Sequence, residues 1–135
     1  ALMALGAEGV QMGTRFALTD ESSASDIFKE YCLRLNEGDT KLLLKKLAPT
    51  RLVINSFRDR VEAAEGRGAS AEELRELLGR GRAKKGIFEG DLEEGELEIG
   101  QVAALFRRRQ SVDEVMKELL EGYRRASDKI RSAGL

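Results

Sequence analysis

The strongest chemical pattern in the chain lies near its start, in Gly6-Ala7-Glu8-Gly9-Val10-Gln11-Met12-Gly13-Thr14-Arg15-Phe16. These residues give a helix end, a tight turn, a short apolar strand, and then a glycine followed by a hydroxyl residue. Backbone N–H groups at the carboxyl end of a barrel strand commonly grip phosphate, above all where a short helix begins. Gly13 lets an oxyanion approach the backbone without a Cβ in the way, and Thr14 adds a hydroxyl donor. The plainer reading is a strand-to-loop glycine with a capping threonine, and short glycine motifs match by accident often enough to keep it open.

Other chemistry is scarce. The chain has no histidine, which excludes a histidine base, a histidine metal ligand and any serine–histidine or cysteine–histidine pair within it. Asp91, Glu93, Glu94, Glu96 and Glu98 lack calcium-loop spacing and read as a solvated acidic turn, so no metal site is expected. Arg107-Arg108-Arg109 has no interleaved aromatic residue and reads as a basic helix end favoured by the helix dipole, not as a nucleic-acid patch. Cys32 falls at an apolar helical position and reads as a small buried hydrophobe. Phe16 and Phe28 read as core residues.

The totals set the frame for these motifs. With 135 residues, 41% hydrophobic and 35% charged, the chain suits one domain with a real core. A net charge of -1 gives no general pull toward nucleic acid or an anionic membrane. No apolar run is long enough to span a bilayer. The single cysteine has no disulfide partner in the chain, which fits a reducing compartment, so a cytoplasmic location is expected. The chain opens at Ala1 inside an apolar pattern, which suggests a piece of a longer protein.

The elements that must position the motif are mostly helical. Residues 1–7 read as the last turns of a helix stopped by Gly6, and residues 10–12 as a buried strand. Residues 23–37 form a helix with Ile27, Tyr31 or Cys32, and Leu35 on one face, ended by Gly38. Residues 40–54, broken by Pro49, suit either a helix or a strand. Two short helices follow over residues 56–65 and 70–78. The second carries a capping box, Ser70 with Glu73, and Ser111 with Glu114 repeats it before a last helix to about Ile130. Residues 97–109 read as an amphipathic helix uniting Ile99, Val102, Ala103 and Phe106. Residues 80–98, rich in charge and glycine, read as an ordered surface connection. A lone strand leaves its backbone groups without partners, so either its neighbours lie outside these residues or residues 10–12 are a loop or helical turn.

Several motifs in the same order resemble one family. Gly6 to Phe16 is similar to the last-strand signature of the nitronate monooxygenase (2-nitropropane dioxygenase) family, which includes the FMN-dependent enoyl-ACP reductases. Lys29-Glu30, the segment Ala48-Pro49-Thr50-Arg51, Asn55, Phe57 and residues 79–105 resemble later parts of the same family, as far as about Tyr123.

The resemblance implies an α/β fold: the C-terminal part of a TIM-type β/α barrel, its last helix and strand, joined to a mostly α-helical subdomain. It implies boundaries at residues 1–22 for the barrel end with its phosphate loop, 23–95 for a helical insert, and 96–135 for the closing helices. The implied cofactor is FMN, its phosphate held by Gly13 and Thr14 with Gln11 and Met12 beside them, while Gly100 and Gln101 begin a helix returning toward the flavin. A second phosphate loop and the ring-contacting residues are implied upstream of Ala1, so no catalytic residue is assigned and the isolated chain is expected to be inactive. The expected parent is a flavin-dependent oxidoreductase acting on a small molecule, by nitronate oxidation with O2 or by NAD(P)H-dependent enoyl reduction. A different class of answer is a non-catalytic helical assembly module. In either case an incomplete barrel exposes apolar surface, and self-association is expected.

Overall fold

The computed structural model describes residues 2–134. Among them the chain is an α/β structure in which a two-stranded sheet is wrapped by helices and irregular segments. Residues 40–54, ambiguous in sequence, fold as a hairpin of β1 (Thr40–Leu43) and β2 (Thr50–Val53), antiparallel, with Thr40 opposite Val53 and Leu43 opposite Thr50. Pro49 decides against a helix here: it has no N–H to give and biases the residue before it toward extended backbone.

The free edge of β2 sets the next element. Val53 N donates to Leu97 O at 2.9 Å, and Leu52 pairs with Glu98. Residues 97–99 are therefore extended, not helical as their apolar spacing predicts, with Leu97 and Ile99 buried and Glu98 exposed between them. Only a 3-10 turn, Gln101–Leu105, follows, and Phe106 is extended again. Ala103 is buried while Val102 points to solvent, so the expected amphipathic face does not form. A buried strand edge left unpaired costs more than a short helix gains, so sheet pairing wins.

Two other expectations need correction. Residues 10–12 form no strand; they are irregular, and Val10 is 77% exposed. A three-residue strand cannot hold itself without a neighbour to bond. Upstream, of the helix expected over residues 1–7, the structure has a 3-10 turn, Met3–Leu5, closed by Gly6 in the left-handed region at φ 96°; Ala1 lies outside the described residues. A four-residue helix, α1 (Thr14–Ala17), begins at the motif itself.

The helix α2 runs over Asp26–Cys32 only, capped by Ser25, whose hydroxyl accepts from Phe28 N at 3.2 Å. Its buried face holds Phe28, Lys29 and Cys32; of the face predicted from sequence, Cys32 and Leu35 are buried, while Ile27 is exposed and Phe28 takes its place. It stops early because Arg107 takes the Leu35 carbonyl at 2.8 Å and Asp39 accepts from Asn36 N at 2.7 Å, fixing a turn before Gly38. Cys32 is fully buried as expected, and burial pushes its thiol up to about 12. Phe28 is core; Phe16 is only half-buried.

Helices α3 (Ser56–Gly66) and α4 (Ala71–Leu78) form where the sequence puts them, as does α5 (Val112–Ser132), and both capping boxes are complete. Asn55 caps α3 and donates to Leu92 O and Gly95 O at 3.0 and 2.8 Å. That bond helps draw residues 80–98 inward. The segment is ordered, but it is not a surface connection: Gly86, Gly95, Glu96 and Leu97 are buried. A Cβ on Gly95 would stand 2.2 Å from Gly86 Cα, so the two backbones meet only because both residues are glycine. Arg107, Arg108 and Arg109 lie in a loop before α5, not at a helix end. Arg108 pairs with Glu114 and Glu118, and Arg109 with Asp20 and Asp26.

Candidate phosphate-binding cleft

Gly13 caps the N-terminus of α1, and its carbonyl accepts from Phe16 N at 3.1 Å and Ala17 N at 2.9 Å. The carbonyl therefore points into the helix, and the first amides of the helix point out of its N-terminus. Among the described residues, the N–H groups of Gly13, Thr14 and Arg15 donate to no protein acceptor. A Cβ at Gly13 would meet nothing within 4 Å, leaving that space open to a ligand.

Thr14 reaches across 86 positions of sequence: its Oγ1 accepts from Gly100 N at 3.0 Å. That use of the oxygen as acceptor leaves the hydroxyl proton free to donate outward. The approach is close enough that a Cβ on Gly100 would lie 2.6 Å from Thr14 Oγ1. So the structure brings together two segments that the sequence could only nominate separately.

Several anchors hold α1 in place. Arg15 donates to Gln110 Oε1 and to Glu118 Oε2 at 2.6 Å, and lies over the Phe106 ring at 4.5 Å. Thr19 pairs with Gln110, and Asp20 N donates to Gln110 O at 3.1 Å. Behind the loop after α1, the buried Lys29 donates from Nζ to Ser22 O at 2.7 Å and Asp20 O at 3.2 Å. Its charge is thus met by carbonyls, which is what a buried cation requires. The sequence marked Lys29 only by its place in the family pattern.

The cleft over Gly13 and Thr14 holds about 310 Å³ and is also lined by Ala17, Arg51, Glu98, Ile99 and Gly100. Gln11 and Met12 open with Gly13 and Thr14 into an adjoining cleft of about 350 Å³, walled by Val102 and Phe106. Gln101 turns away from both and faces a third, of about 640 Å³, with Arg107 and Arg51. Of the six nominated residues, then, Gly13, Thr14 and Gly100 converge, Gln11 and Met12 adjoin them, and Gln101 does not join them.

Arg51 and Glu98 are on the wall of the cleft although neither was nominated. Arg51 makes only long contacts to Thr40, 3.3 Å to Oγ1 and 3.5 Å to the carbonyl, so its positive charge is available to the cleft. Glu98 is the outward residue between two buried ones, a strand alternation that was hidden by reading residues 97–109 as a helix. Beside it the carboxyl of Glu96 is pushed up to about 7, first by burial, then by the charge of Glu98 and the hydrogen bond between them.

Free amides, an outward hydroxyl proton and an arginine form a donor set for a phosphate. The cleft's residues fit the phosphate of a nucleotide cofactor: Gly13, Thr14 and Arg51 line one cleft, and the space a Cβ on Gly13 would fill is open.

A family profile described as nitronate monooxygenase matches residues 1–122. A probable nitronate monooxygenase of Bacillus subtilis (strain 168) is 38% identical over 66 residues, 48% of this chain and 19% of the relative. One from Staphylococcus saprophyticus is 55% identical over 40 residues, 30% of this chain and 11% of the relative. The solved structure of FabK from Thermotoga maritima superposes with a TM-score of 0.84 at 31% identity, covering 96% of this chain and 41% of that one. The chain thus spans about two fifths of FabK and a smaller share of the curated relatives it matches.

Proposed function

The chain belongs to the nitronate monooxygenase family, and on that premise we propose that it is the phosphate-holding C-terminal part of an FMN-dependent barrel oxidoreductase. The observation that carries the reading is the bond from Gly100 N to Thr14 Oγ1, which brings Gly13, Thr14 and Gly100 from two distant segments to one open cleft. In this reading the amides of Gly13, Thr14 and Arg15 and the Thr14 hydroxyl donate to the FMN phosphate. Arg51 on the wall of the same cleft supplies positive charge, and Gln11 and Met12 flank the phosphate from the adjoining cleft. Arg15, locked to Glu118 and Gln110, keeps the amides from turning away. FMN when bound supplies the redox chemistry, the oxidation of an alkyl nitronate with O2.

The likeness to FabK keeps a second reaction of the same cofactor in play, reduction of an enoyl thioester by NAD(P)H. For the longer protein, oxygen uptake with an alkyl nitronate set against NADPH oxidation with an enoyl thioester decides between the two.

The test of the site uses the chain itself. Flavin fluorescence is followed on adding FMN, and separately riboflavin, which lacks the phosphate. The expected result is saturable quenching with FMN, weaker with riboflavin, and roughly tenfold weaker FMN binding in Thr14→Val, about 1.4 kcal/mol for one hydrogen bond to a charged group. Equal binding of FMN and riboflavin removes the phosphate site. No binding of either leaves the non-catalytic helical module as the reading for these residues.

A further inference from the structure

We propose that α5 pairs antiparallel with α5 of a second copy of this chain. The proposal is independent of the flavin reading. The helix has 21 residues, yet Val115 is its one buried residue among those described. The side bearing Val115 and Leu119 faces the chain's own body, where Leu119 shares a cleft wall with Phe106 and Arg15 bonds Glu118. A separate row, Met116, Leu120, Tyr123, Ser127 and Ile130, follows steps of four and three. That is the heptad spacing of a helix-pairing seam. Its four apolar members are 42%, 50%, 55% and 49% exposed, and it continues over the full length of the helix.

Charge selects the occupant and its direction. Residues 113–121 hold Asp113, Glu114, Glu118 and Glu121 against Lys117, a net charge of -3. Residues 122–134 hold Arg124, Arg125, Lys129 and Arg131 against Asp128, a net charge of +3. Two parallel copies set like halves side by side, which is repulsive; two antiparallel copies set acidic against basic along the whole seam. Such a pairing is a two-fold contact in which one patch meets itself and no further copy can add. A register centred between Glu121 and Gly122 sets Leu120 against the second copy's Tyr123 and Met116 against its Ser127. It also brings Asp113, at the edge of the seam, beside the second copy's Arg131.

Sedimentation equilibrium of the chain over a concentration series tests the pairing, with a dimer of twice 14.9 kDa expected. Leu120→Glu, at a position already half exposed, is expected to give a folded monomer by circular dichroism. Val10→Glu, at an exposed apolar residue outside α5, is expected to leave the dimer intact. Direction is read by oxidation of cysteine variants, since native Cys32 is buried. Met116→Cys is expected to cross-link to Ser127→Cys in the doubly substituted chain and not to itself alone, because antiparallel copies hold the two Met116 positions about 16 Å apart. A monomer at every concentration, a dimer that survives Leu120→Glu, a dimer lost in Val10→Glu, or cross-linking of Met116→Cys alone each overturns the proposal.

Discussion

Gly100 has no room for a side chain, since a Cβ there would press on Thr14 Oγ1. Gly100→Ala is expected to lower stability by about 1–3 kcal/mol through overpacking, and to weaken FMN binding as α1 is pushed aside. Thermal melting and flavin titration check the two effects. Glu96 gives a pH prediction of definite sign. Its carboxyl sits at about 7 in the folded chain against an ordinary 4.5, so the fold prefers the protonated form. The stability this contributes is present below about pH 4.5 and is lost as pH rises through about 7. Glu96→Gln keeps the neutral form at every pH and is expected to be the more stable chain at pH 8, by on the order of 1–2 kcal/mol once solvent screening is allowed for. Urea unfolding at pH 4.5 and pH 8 measures it; an equal difference at both values contradicts the assignment. At this scale the sequence was partly legible. Gly13 and Thr14 could be nominated because the motif around them resembles a family signature; a glycine–hydroxyl pair by itself matches too often by accident. Arg51 and Glu98 could not be, because their value comes from which strand edge they lie on.

Among the elements, those set by local chemistry are where the sequence puts them: α3, α4 and α5 begin at side-chain caps, and two of those caps are reciprocal. Those set by distant partners are not. The extended backbone of residues 97–99 depends on β2, and the short α2 depends on Arg107 reaching back to Leu35. Periodicity alone cannot see a hydrogen bond across half the chain. The crossing of Gly86 and Gly95 is the sharpest demand of this kind. Gly95→Ala sets a Cβ against backbone atoms that have no rotamer to change, and is expected to destabilise the fold by about 3 kcal/mol or more. Gly90→Ala, whose Cβ meets only side-chain atoms of Ile27 and Ser25 at 3.0 Å and beyond, is the milder comparison, although its positive φ also disfavours alanine. Chemical denaturation of both checks the order.

For the molecule as a whole, bonds cross the divisions at residues 1–22, 23–95 and 96–135 in several places. Thr14 meets Gly100, Arg107 meets Leu35, and Val53 meets Leu97. Leu97, Ile99 and Ala103 share one core cluster with Phe28, Cys32 and Val53. Truncation after Gly95 is therefore expected to unfold the remainder and not to release a folded insert. Far-ultraviolet circular dichroism and a single cooperative melt of the uncut chain read this out; a truncated piece that melts cooperatively contradicts it. The family profile matches residues 1–122, across both boundaries.

Cys32 turns the same core into a clock. A thiol that is out of solvent and scarcely ionised is invisible to disulfide reagents while the chain stays closed. With no other thiol present, each modification event counts one opening of the helix that carries it. The labelling rate in a large excess of reagent therefore reports how often α2 lifts off the hairpin. Added FMN should slow that rate only if ligand binding at Gly13 and Thr14 is transmitted through the loop tethered by Lys29.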